Sequence, residues 1–73
     1  MRLNLKKART DAGLTQEQMA EKIDVSMRQY QRIEAGTSNG SFRHWDALED
    51  LLGVHQRILR ENRDIHLDTE ESQ

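Results

Sequence analysis

Seventy-three residues with neither cysteine nor proline allow one small domain and exclude a disulfide scaffold or a thiolate metal site. Hydrophobic residues are 34% of the chain and charged residues 33%, a globular composition with a thin core, because a domain of this size buries only about 60% of its unfolded surface. The longest apolar run is two residues, so neither a membrane span nor a signal-peptide core is expected, and the missing cysteine fits a reducing cytoplasm. The formal net charge is −2, but it is unevenly spread. Residues 1–43 hold eight Lys/Arg against five Asp/Glu, and residues 44–73 hold three against eight. A basic first part and an acidic remainder suggest one face for an anionic partner.

Read in chain order, the sequence predicts helices throughout. Leu3, Leu5, Ala8 and Ala12 recur at helical spacing, and Gly13 follows as a left-handed cap, which places the first helix at 2–12. Thr15 with Gln18 three residues later is a capping box for a second helix over 16–23, whose inner face is Met19, Ala20 and Ile23. Asp24 suits a tight left-handed turn. Ser26 caps a third helix over 27–35, with Tyr30 and Ile33 inward and Gly36 at its end. Thr37 to Gly40 reads as a loop, and Ser41 caps a fourth helix over 42–52 with a stripe of Phe42, Trp45, Leu48 and Leu52. Gly53 stops it, and a fifth helix is expected over 55–62 with Ile58 and Leu59. The expected organisation is a domain at 1–62 and an acidic tail at 63–73, whose polar composition is expected to leave it disordered; the alternation of Ile65 and Leu67 with charge makes a short strand the alternative.

The stretch Gln16 to Ala35, QEQMAEKIDVSMRQYQRIEA, is the informative one. Two helices crossing at about 90–120° over a short turn need apolar residues where Met19, Ile23, Val25, Tyr30 and Ile33 stand, and a small one where Ala20 lies under the crossing. Together with LKKAR at Leu5–Arg9, GLTQ at Gly13–Gln16, RIEAG at Arg32–Gly36 and LEDLLGV at Leu48–Val54, this resembles the lambda-repressor-like (Cro/repressor, XRE) helix-turn-helix family over residues 3–58. Two positions depart from that pattern: Asp24 stands where glycine is usual, and Gly40 where proline is frequent, which is expected to loosen the loop before the fourth helix. The resemblance implies a compact all-α fold of five helices that binds double-stranded DNA, with the third helix in the major groove and the second across the backbone.

Carried onto this chain, the resemblance makes Met27, Arg28, Gln31 and Arg32 the candidates for base readout. With Tyr30 and Ile33 inward, Arg28, Gln31 and Arg32 point outward, and the outer face holds no acid before Glu34. Arginine suits guanine O6 and N7, glutamine suits adenine, and Met27 a thymine methyl. Gln16, Gln29, Thr37, Ser38 and Asn39 are the candidates for phosphate contacts, Gln16 through its place at a helix N-terminus. Arg9 and Glu34 match the family's structural ion pair. Leu51, Val54, Ile58 and Leu59 are the candidate dimer contact.

Other constellations have plainer readings. His44, His55 and His66 lie eleven apart but on three separate segments, which suits exposed histidines better than a metal site. Phe42 and Trp45 are a possible base-stacking pair, but their spacing with Leu48 and Leu52 makes them core. No catalytic constellation or cofactor site stands out, so no enzyme is expected. The function expected is a cytoplasmic transcriptional regulator, a repressor, bound as a homodimer to a palindromic operator. Two alternatives stand beside it: an antitoxin-like or phage or conjugation switch protein with an added protein partner, and a helical interaction module without DNA binding.

Overall fold

A computed structural model describes residues 1–63. Five helices run through them: α1 (Leu3–Asp11), α2 (Gln16–Lys22), α3 (Met27–Ala35), α4 (Phe42–Leu52) and α5 (Gln56–Leu59). The acidic tail from residue 64 on, expected as a disordered segment with a short strand at Ile65 and Leu67 as the alternative, lies outside the described residues together with His66.

Local chemistry sets each boundary. After α1, Gly13 at φ 74° lets its own N–H reach Thr10 O and the Leu14 N–H reach Arg9 O, which pairs two carbonyls of the last turn. Thr15 accepts from the Gln18 N–H while the Gln18 side chain accepts from the Thr15 N–H, a complete capping box. Asp24 takes φ 61° and does at the end of α2 what Gly13 does after α1: its N–H reaches Glu21 O and that of Val25 reaches Ala20 O. A carboxylate residue therefore fills the turn position where glycine is usual.

The core is Leu5, Met19, Ala20, Ile23, Tyr30, Ile33, Trp45, Leu48 and Leu59, with Leu14, Val25, Leu51, Leu52 and Val54 packed against it. α2 and α3 make the closest helix pair, and α5 closes the bundle against α1 and α4.

Several expected positions move. Leu3 is exposed because it lies about 160° around α1 from Leu5, and Ala12 is exposed because α1 has ended before it. Phe42 is 80% exposed, although the stripe placed it in the core. At 100° per residue it sits about 90° off the mean direction of Trp45, Leu48 and Leu52. Leu59 is fully buried and belongs to the core, so it is not a dimer contact. α5 has four residues rather than eight. It starts late because the His55 imidazole accepts from the Arg57 N–H. It ends early because the chain beyond is drawn to the N-terminus: Arg60 O accepts from Arg2, and Arg63 and Met1 exchange backbone hydrogen bonds. Gly40 does not loosen its loop. It holds φ 71° with Trp45 Nε1 3.0 Å from where a Cβ would stand, a conformation closed to proline.

Candidate nucleic-acid interface

The interface is built outward from the inner side of α3. Tyr30, Ile33 and Glu34 are its buried residues. Glu34 is 2% exposed, and four groups supply its hydrogen bonds. Arg9 donates from Nε to Oε2 at 2.8 Å and from Nη2 to Oε1 at 3.3 Å. Tyr30 Oη donates to Oε2 at 2.8 Å, and Gln16 Nε2 to Oε1 at 2.9 Å. Burial works against the charged form of Glu34, but the hydrogen bonds from Arg9, Tyr30 and Gln16 outweigh it and hold the carboxyl below the usual carboxylate range. Burial, then the hydrogen bond to Glu34, pushes the Tyr30 phenol up. The hydrogen bond to Glu34 raises Arg9 further. One carboxylate thus ties α1, α2 and α3 together and fixes the angle at which α3 leaves the bundle.

The outer side of α3 is different. Arg28, Gln31, Arg32 and Ala35 are exposed, and Met27 is 45% exposed at the first turn. Arg28 and Arg32 share the line opposite the buried face, one turn apart. Among the described residues neither guanidinium has an ion-pair or hydrogen-bond partner. Gln31 lies at the edge nearer α2, and its Nε2 donates to Gln16 Oε1 at 3.3 Å. Gln29 lies at the opposite edge, half-buried, and donates to Ser38 Oγ at 3.3 Å. Gln16, read from sequence as a phosphate contact, has its side chain engaged with Glu34 and Gln31 instead of standing clear at the end of α2.

The loop after α3 is equally constrained. The Gly36, Thr37 and Ser38 N–H groups all converge on Arg32 O, and Asn39 O accepts from Trp45 Nε1 at 2.8 Å. Thr37 and Asn39 stay exposed beside the end of α3, while Ser38 is half-buried. Of the apolar residues proposed for self-association, Ile58 is 50% exposed, while Leu51 and Val54 are half-buried against the core.

Sequence reasoning missed one buried charge. Arg2 is 4% exposed, and its guanidinium lies 5.1 Å from the Trp45 ring centroid. It donates to Ile33 O at 2.5 Å, Ser38 O at 2.8 Å and Arg60 O at 3.1 Å, while its own N–H reaches Glu34 O. Burial, then the charge of Arg60, lowers its pKa. The signal was in the spacing: Arg2, the residue before α1, Leu5 and Arg9 follow one another by three and four, which aligns Arg2 with the face of α1 that carries Leu5 and Arg9. His44 and His55 act as local caps, accepting from the Ser41 and Arg57 N–H groups.

A short helical pair with a buried core and a solvent-facing basic second helix defines a helix-turn-helix protein. The sequence profile of the helix-turn-helix family matches residues 5–55, and the chain belongs to this family, in its Cro/repressor (XRE-like) branch of DNA-binding transcription regulators. No curated protein and no solved structure matches the chain. Among the described residues no helix is long and apolar enough to cross a membrane.

Proposed function

We propose that this protein is a cytoplasmic repressor that binds a palindromic operator as a homodimer, with α3 of each copy in the major groove. The observation that carries the reading is the outer face of α3, where Arg28 and Arg32 stand exposed and unpaired among the described residues while every polar group of the inner face is bonded. A solvated helix face gains from acidic neighbours, and this one has none to pair with. Arg28 and Arg32 read guanine by bidentate contacts, with Gln31 and Met27 beside them, and Gln29, Thr37, Ser38 and Asn39 meet the phosphates. One helix reads too few base pairs to specify a site, and a two-fold dimer doubles the number. The self-association surface is centred on Ile58, with Leu51 and Val54 at its edge.

Selection of bound sites from random duplex DNA tests the reading, followed by titration of the selected operator at several salt concentrations. A palindrome bound by two chains, with a steep negative dependence of log K on log salt, is expected. Arg28→Ala and Arg32→Ala should each lower the preference at one base position per half-site, by about 1–3 kcal/mol per contact. Uniform loss of affinity on every sequence would make both arginines phosphate clamps. Absence of any duplex binding would favour the protein-interaction module.

A further inference from the structure

The buried carboxylate of Glu34 reaches the outer edge of α3 through one side chain. A carboxylate accepts hydrogen bonds and donates none, so Gln16 must turn its Nε2 toward Glu34, where it stands 2.9 Å from Oε1. That choice leaves Gln16 Oε1 facing the other way, toward Gln31, whose Nε2 donates to it at 3.3 Å. Gln31 and Glu34 are three residues apart on α3, and Gln16 bridges them from the first turn of α2. The polarity of each amide is therefore dictated in sequence from the interior outward. Gln31 spends one N–H on Gln16 and keeps its Oε1 and its second N–H, the acceptor–donor pair that matches N6 and N7 of adenine in the major groove.

We propose that Gln16, held by Glu34, is a positioning residue for base reading: it sets the Gln31 amide in the orientation that selects adenine. The inference rests on the duplex-binding reading above and replaces the expectation that Gln16 only grips a phosphate. Without Gln16 the Gln31 amide turns freely and offers either edge, so the adenine preference weakens even though Gln31 is intact.

The test compares Gln16→Met, Gln31→Met and the double variant, all of similar side-chain length, in selection from random duplex DNA and in titration of the wild-type operator. Binding is measured well below the thermal midpoint of each variant, recorded by circular dichroism. Gln31→Met should reduce the preference for adenine at one base pair per half-site by about fivefold to a hundredfold. Gln16→Met should reduce the same preference at the same base pair, and the double variant should be no worse there than Gln31→Met alone. The preferences set by Arg28 and Arg32 should persist, which a general loosening of the fold would not allow. Three results would overturn the inference: Gln16→Met that keeps the adenine preference and loses affinity equally on all sequences, Gln31→Met with an unchanged preference, or losses that simply add. Wild-type protein that binds no duplex would overturn the proposed function itself, a result distinct from the other three.

Discussion

Two charges are buried among the described residues, and they are held in opposite ways. Glu34, beside α1 and α2, is met by side chains: Arg9, Tyr30 and Gln16. Arg2, beneath the ends of α3 and α5, is met by backbone carbonyls of Ile33, Ser38 and Arg60 and by the Trp45 ring. The first is a network of ionised and neutral partners that fixes a helix angle. The second is a single cation spread over carbonyls at the end of α3, in its following loop and in the turn after α5, one of which, Ile33 O, also accepts from the Gly36 N–H. The difference shows how a thin core is supplemented. Where two helices cross, side-chain donors are in reach of one carboxylate. Where helices end, the backbone itself supplies the acceptors, and a planar guanidinium with several N–H groups serves several at once.

Breaking the carboxylate site should cost most. Glu34→Ala leaves Tyr30 and Gln16 Nε2 without their acceptor and Arg9 with Leu14 O alone, and loss of one partner from a buried pair typically costs about 3–5 kcal/mol. Denaturant unfolding followed by circular dichroism measures it, and a loss under about 1 kcal/mol would show that water replaces the carboxylate. Arg2→Met keeps the apolar stem and abandons the carbonyls, at about 1–3 kcal/mol. Arg2→Lys should recover only part of this, because an ammonium cannot fork across Ile33 O and Arg60 O.

Acid sharpens the contrast. The folded-state pKa of Glu34 lies below its ordinary value, so its stabilisation is complete above that value and is lost as pH falls through the folded one. The thermal midpoint should fall on acidification, and Glu34→Gln should fall less over the same range. Arg2 stays charged throughout, so an Arg2→Met variant should keep the acid slope of the parent. The smallest effect is expected at Phe42, 80% exposed at the start of α4: Phe42→Ser should change stability by no more than about 0.5 kcal/mol. A larger loss would mean that its ring covers apolar surface.

Much of this molecule is decided along the chain. The caps at Thr15, Ser26 and Ser41 and the left-handed positions at Gly13, Asp24 and Gly36 are local chemistry, each settled within four residues, which is why the bounds of α2, α3 and α4 could be read to within a residue. The inward set of Met19, Ala20, Ile23, Tyr30 and Ile33 follows from helical period alone, and the outward set of Arg28, Gln31 and Arg32 is its complement. The Arg9–Glu34 contact, 25 residues apart, was accessible only through the family resemblance. What only the tertiary structure decided is the fate of residues at the margins of those patterns. Phe42 and Leu59 both read as apolar and helical, yet one lies in solvent and the other at the centre, because burial depends on which neighbouring element arrives over a side chain. Arg2 drew no reading from the sequence, and Gln16 read as a phosphate contact. The first is enclosed because the end of α5 and the loop after α3 close over it, and the second is claimed by a carboxylate that α3 carries to it. Period and capping act over a few residues of one segment, whereas the partner of a charge is chosen by whichever distant segment the packing brings within about 3 Å.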